Sequence, residues 1–345
     1  MKTYRETMSD LQFSPQQKQA MIERLMIESA KPPKGRLIPL RRLCVLGAAA
    51  ALAGTLCLGA AATGVLKPAA QAFAGVFGTS PAQTEIIDRI GYPLDASATV
   101  DGVTVRADAI IGDTYSYAIV YSIFREDGQP ITADPNPNGD GLLALRFDDW
   151  NTDVGHMGGM HGTAYFFDQD PTDNAVQFVE LSTADSPLEP GTATVQLTDL
   201  RQGLGEDAPV LASGTWNLRF DFAFEDSSLT LPCGQNFALG DKSAVLNSVS
   251  ISPLSLRIDY TVDASAQSQA EDDSSDVLGL YLQTLNATLT LTDGTHIDLN
   301  GFGGGVQPEG DTFHCEKSGV FDQIIPLNTI ESITIGDVTL PVNIQ

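Results

Sequence analysis

The chain has 345 residues and a net charge of −25, from 19 Lys/Arg against 44 Asp/Glu. The charge is split: residues 1–66 carry nine basic and four acidic side chains, a net of +5, and the remainder carries ten basic and forty acidic, a net of −30. The acidic part would repel nucleic acid and anionic lipid heads, which excludes nucleic-acid binding; its carboxylates suit cations, cationic peptides or simple solubility.

In chain order, the first element is a helix over 14–29, SPQQKQAMIERLMIES. Ser14 caps it, Pro15 takes the first helical position, and Gln17 sits where a capping box places its side chain. Met21, Ile22, Leu25 and Met26 fall at i, i+1, i+4 and i+5 and so collect on one face. Pro32-Pro33 closes the helix. About four turns with a single apolar stripe are marginal alone, so the stripe needs a surface to bury against. The membrane surface and a cytoplasmic partner both qualify, although the helix is poorer in Lys/Arg than surface helices usually are.

Lys31, Lys34, Arg36, Arg41 and Arg42 then precede an uncharged run over 43–66, LCVLGAAAALAGTLCLGAAATGVL. At helical rise this run reaches about 36 Å, against roughly 30 Å of bilayer hydrocarbon. The basic flank marks the cytoplasmic side, which gives a cytoplasmic tail (1–42), one transmembrane helix (43–66) and an extracellular remainder. The alternative is a cleaved export signal, with Ala70-Gln71-Ala72 or Ala72-Phe73-Ala74 as the cleavage site; the run is longer than the usual signal core of about 7–15 residues. Residues 67–96 read as a Pro- and Gly-punctuated connector with a short helix around 84–90.

From residue 97 the pattern is all β. Val100-Asp101-Gly102-Val103 is a hairpin signal, followed by alternation at Val103, Val105, Ala107 and Ala109. Further strands are expected near 115–124, 142–148, 162–168, 175–182, 192–200 and 214–224. After 225–228 the pattern restarts, with strands over 245–251, 254–262, 287–291, 295–299, 320–325, 332–335 and 338–344. Two sets of about seven short strands suit two β-sandwich domains, 97–225 and 226–345. The polar stretch 264–276, ASAQSQAEDDSSD, reads as a loop within the second.

The tail FSPQQKQAMIERLM, the basic stretch, the single span and the later AFAGVFG and DGVTVRADAIIGDTYSYAIVYSIF resemble the membrane-anchored Gram-positive proteins grouped as domain of unknown function 4179. NFALGDKSAVLNSVSISPLSLRIDYTV through ITIGDVTLPVNIQ is similar to the immunoglobulin-like domain often found at their C-termini. The resemblance implies a mainly β protein with two immunoglobulin-like domains outside the membrane, related to anti-sigma and extracytoplasmic sigma-factor regulators. It brings no catalytic residue.

No enzyme constellation stands out: there is no Gly-x-Ser-x-Gly, P-loop, HExxH or Cys-x-x-Cys. Asp134, Asn136, Asn138 and Asp140, with Gly139 sixth, match the start of an EF-hand-like calcium loop, but Leu145 stands at the twelfth position where a bidentate Glu is needed. His156 and His161 share a Gly-rich loop with Met157 and Met160, a donor set suited to copper or zinc and equally to an ordinary turn. Cys233 and Cys315 form an even pair that can join in an oxidising compartment, provided their Cα atoms come close enough.

The reading that results is a single-pass, anti-sigma-like sensor whose tail stripe binds a cytoplasmic protein, a sigma factor being the natural candidate. The alternative is a cell-surface binding or scaffolding protein without a regulatory role.

Overall fold

The computed structural model describes residues 67–155, 158–263 and 275–342. The tail helix with Met21, Ile22, Leu25 and Met26, and the apolar run 43–66, lie outside the described residues. Among the described residues no helix is long and apolar enough to cross a membrane. Gly64–Gln345 forms one compact unit, and it is mainly β.

Three helices open the unit: α1 (Ala69–Ala72), α2 (Ala74–Phe77) and α3 (Pro81–Ile90). The start of α3 is fixed by a capping box. Ser80 Oγ accepts from Gln83 N, Gln83 Oε1 accepts from Ser80 N, and Pro81 sits where its missing N–H costs nothing.

The first lobe follows: β1 (Gly91–Val100), β2 (Val103–Gly112), β3 (Ser116–Arg125), β4 (Leu142–Leu143), β5 (Leu145–Asp153), β6 (Met160–Phe167), β7 (Ala175–Ala184), β8 (Gly191–Gln202) and β9 (Val210–Phe222). They form two sheets, ordered β1-β2-β3-β7-β6-β4 and β5-β8-β9. Strand pairing begins at Gly91, six residues before the expected start of the first domain. The Asp101-Gly102 turn is the expected tight hairpin; both residues have positive φ, 49° and 74°, which suits Asp and Gly. Val105, Ile119 and Phe178 of the first sheet meet Phe147, Val195, Leu197 and Trp216 of the second in one core. Trp216 is fully buried, and its indole N–H donates across the core to Val103 O at 2.9 Å.

The second lobe contains β10 (Leu229–Leu231), β11 (Asn236–Leu239), β12 (Lys242–Ile251), β13 (Ser255–Asp263), helix α4 (Ser275–Thr284), β14 (Ala287–Leu291), β15 (His296–Asp298), β16 (Gly303–Glu309), β17 (Thr312–Val320), β18 (Ile330–Ile335) and β19 (Val338–Pro341). Its sheets run β10-β12-β13-β17-β16, with β11 also on β12, and β15-β14-β18-β19. Leu246, Ile258 and Tyr260 face Leu289, Ile333 and Leu340 in a second core. Helix α4 was not expected. It places Tyr281 in this core and leaves Leu280 exposed.

The central hairpins of the two lobes are built alike. In both, a tight turn is followed by a ten-residue strand, β2 or β12, and a return strand, β3 or β13. Each pair carries a register shift at the same place, between Ala107 and Ala109 and between Leu246 and Ser248. Asp113 thereby corresponds to Ser252, Ser116 to Ser255 and Tyr121 to Tyr260.

The outer faces of the two lobes differ. Ala109, Ile111, Ala118, Val120, Val179 and Leu181 make the outer face of the first large sheet apolar, and Phe73, Phe77, Ile87 and Ile90 of the opening helices cover it. This is why β2 and β3 are buried on both faces rather than alternating. The corresponding positions of the second lobe are Ser248, Ser250, Arg257, Asp259, Glu316 and Ser318, by the matching registers of β3 with β7 and β13 with β17.

Four arginines are ion-paired with the aspartate two residues further along the chain, and Arg201 of β8 reaches across to Asp148 of β5. Arg106–Asp108 (2.6 Å), Arg125–Asp127 (2.5 Å), Arg146–Asp148 (2.6 Å) and Arg257–Asp259 (2.9 Å) all join a residue to the one two places on, the spacing that puts both on one face.

Candidate functional site

The richest polar cluster lies where the lobes meet. Asp113 follows β2, and Ser252 follows β12 at the corresponding turn. In each turn the first residue's N–H donates to the fourth residue's carbonyl, Asp113 to Ser116 and Ser252 to Ser255, both at 2.9 Å. In each, the first side chain accepts from the next backbone amides. Asp113 Oδ1 takes Tyr115 N (3.0 Å) and Ser116 N (2.8 Å), while Ser252 Oγ takes Leu254 N and Ser255 N (3.0 Å each). The two turns then face each other: Ser252 Oγ and Ser255 Oγ both donate to Asp113 Oδ2, at 2.5 and 2.6 Å. Asp113 is 2% exposed, and its Oδ2 is held by the two serine hydroxyls. Burial raises its pKa, and the four hydrogen bonds work against that rise.

Around this junction, Arg257 Nη1 donates to Ala184 O at 3.1 Å, and its guanidinium carbon stands 4.5 Å from the centre of the Tyr115 ring. The same guanidinium is held by both oxygens of Asp259 (3.1 and 2.9 Å) and lies 3.4 Å from Glu316. Phe224, on the link between lobes, covers Gly112; a Cβ there would lie 2.5 Å from its ring.

His161 belongs to this junction and not to a loop, as the sequence reading had it. It lies in β6 opposite Thr183, and its Nε2 is 3.1 Å from Ser318 O and 3.4 Å from Ser318 Oγ. Ser318 Oγ donates to Glu316, and Ser318 is fully buried. The residue types of a Ser–His–acid set are therefore present without its order: the acid holds the serine, whose side chain is buried. His156 lies outside the described residues.

The four oxygen-bearing residues at 134–140 lie in the turn between β3 and β4. Asn136 Oδ1 accepts from Asn138 N at 2.9 Å, Ala144 N donates to Asp134 O at 2.7 Å, and Asp134, Asn138 and Asp140 are exposed. Leu145, the twelfth position, begins β5. Among the described residues no three His, Cys, Asp or Glu side chains are grouped as a metal site.

The candidate disulfide is corrected: Cys233 and Cys315 are free. Gly234 N bonds Leu246 O, Leu246 pairs with Tyr260, and Tyr260 pairs with Cys315. Strands β12 and β13 thus separate the two cysteines, by about 14 Å at three strand spacings, twice the reach of a disulfide. Burial pushes the Cys315 thiol up to about 12.

Inside each lobe, corresponding positions hold a buried ionisable group. Glu180 of β7 and Lys317 of β17 pair with Ile119 and Ile258, and each is 1% exposed. Glu180 accepts from Tyr117 Oη (2.7 Å), Tyr121 Oη (3.3 Å) and Thr152 Oγ1 (2.7 Å), the last from the opposite sheet. Burial raises its pKa, against those hydrogen bonds. Lys317 Nζ donates to Leu282 O and Asn300 O, both at 2.8 Å, and burial lowers its pKa.

Sequence reasoning missed Asp113, Ser252, Ser255 and Arg257. The signal available was the repeated turn chemistry, Asp-Thr-Tyr-Ser and Ser-Pro-Leu-Ser, at one distance from the Asp101-Gly102 and Gly240-Asp241 turns.

No family model and no curated protein matches the chain. Among solved structures, a conserved domain protein from Bacillus anthracis is similar over 71% of this chain and 76% of its own, at 16% identity and a TM-score of 0.45.

Proposed function

We propose that the chain is a single-pass membrane sensor. An extracytoplasmic pair of immunoglobulin-like β-sandwiches is carried on the 43–66 span, and a cytoplasmic helix binds a regulatory partner in the manner of an anti-sigma factor. The observation that carries this reading is the charge division, +5 against −30, on either side of an uncharged run long enough to span a bilayer. The resemblance to domain of unknown function 4179 points the same way. Protease added to intact, wall-stripped cells should digest the acidic β unit and spare a tag at residue 1; a protected C-terminal half would overturn the topology.

The tail supplies the partner contact. Burying a Leu or Met side chain stabilises a complex by roughly 1.5–3 kcal/mol, and Met21, Ile22, Leu25 and Met26 form one stripe suited to an apolar groove. Leu25→Asp with Met26→Asp should abolish recovery of a sigma factor by the full chain and release its regulon, while Lys18→Ala changes neither. Recovery of no cytoplasmic protein by the wild-type chain, together with an unchanged transcriptome in the double variant, would leave a surface scaffold.

A further inference from the structure

The opening helices belong to both lobes. Phe73, Phe77, Ile87 and Ile90 share one apolar cluster with the outer face of the first lobe and with Leu254 and Ile324 of the second. Gln83 does two jobs with one amide: Oε1 closes the capping box on Ser80 N (3.2 Å), and Nε2 donates to Ile324 O in the second lobe (3.3 Å). The segment it reaches is itself tied to the lobe junction, through Phe321 N to Leu254 O and Ile325 N to Pro253 O, both at 2.9 Å. Leu254 belongs to the turn whose serines hold Asp113. A chain of bonded groups therefore runs from α3 through Ile324 and the 252–255 turn to the first lobe.

We propose that residues 69–90 are a coupling strap: they fasten the two lobes together, and any displacement of the second lobe loosens the start of α3, in the segment that directly follows the apolar run in sequence. Separating the lobes would remove a donor from Ile324 O, uncover Leu254 and Ile324, and release Gln83 from the position that caps the helix. Its use in signalling rests on the sensor reading, but the coupling itself does not.

Hydrogen exchange of the full chain in detergent tests it. Gln83→Glu keeps an acceptor for Ser80 N and removes the donor to Ile324 O, so amides in 321–326 and 252–256 should exchange about tenfold faster. Ser80→Ala, which loosens only the cap, should affect 81–84 alone. Ile324→Ala is the reverse experiment and should speed exchange in 81–90 by a similar factor. Changes confined to the first lobe for Gln83→Glu and to the second for Ile324→Ala would overturn the strap. A sensor without the strap would fail here and still lose its partner on mutation of the tail; a strap without the sensor would give the opposite pair of results.

Discussion

Replacing Asp113 by leucine is expected to split the unfolding of the protein into two transitions. The substitution strands Ser252 Oγ, Ser255 Oγ, Tyr115 N and Ser116 N at a buried junction. Unpaired buried polar groups cost about 1–3 kcal/mol each, so about 3–5 kcal/mol is lost after local relaxation. The loss falls on the contact between lobes, because each lobe keeps its own core. Both tryptophans, Trp150 and Trp216, lie in the first lobe, so tryptophan fluorescence follows that lobe while far-ultraviolet circular dichroism follows both. In urea the two signals should coincide in the wild type and separate in Asp113→Leu. Asp113→Asn is the control. Its Oδ1 still accepts the backbone amides, its NH₂ meets hydroxyls that can turn to accept, and stability should stay within about 1 kcal/mol. Coincident signals in the leucine variant would show that the carboxylate does not hold the lobes together.

Glu180→Leu should be the most damaging change within the first lobe, by about 3–5 kcal/mol, since it leaves Tyr117, Tyr121 and Thr152 hydroxyls without their acceptor in the core. Glu180→Gln keeps an acceptor and should cost little. The same pair of acids sets a pH dependence. Glu180 and Asp113 both have pKa values raised by burial, so between the ordinary carboxylate range and those raised values the folded protein binds more protons than the unfolded one. By linkage, stability then falls as pH rises through that window. The exposed Asp127 acts in the opposite sense: its pKa is held down to about 2, first by its hydrogen bond from Arg125, so its contribution is lost only in strong acid. Melting temperature should therefore be highest in weak acid and decline towards neutral pH, and the Glu180→Gln, Asp113→Asn double variant should show a flatter profile. An unchanged slope in the double variant would assign it to other groups.

Many strands were legible because their punctuation is local, but β16 and β17 were not read. The strand expected over 320–325 is only the last residue of β17 and the loop beyond it. Asp101-Gly102 and Gly336-Asp337 announce turns whose positive φ only a few residues tolerate, and the alternation between them fixes which faces are apolar. Helix α3 was half legible: residues 84–90 were expected, but Ser80-Pro81 and Gln83, the same starting grammar as at Ser14, were not read there. Helices α1 and α2 were not legible, since AAQAFAGVFG continues the composition of the apolar run and only the sheet beneath shows which residues it buries. The junction was least legible of all. Asp113 and Ser252 are ordinary turn residues, and nothing in either turn alone says that the other will stand 2.5 Å away. At 134–140 the sequence signal is shared by two chemistries, because Asp, Asn and Gly at that spacing are also what turns require.

The arginines paired with the aspartate two residues on bear on how copies of the protein meet one another. Each of these guanidiniums is already neutralised by the aspartate two residues on, so few mobile cations remain to bridge two acidic surfaces. Neighbouring copies approaching within about 8 Å, the Debye length at physiological salt, meet net anion against net anion. The colloidal consequence is a positive second virial coefficient that falls as sodium chloride is added: a crowd of these molecules spaces itself out, and only salt or a polycation lets it draw close.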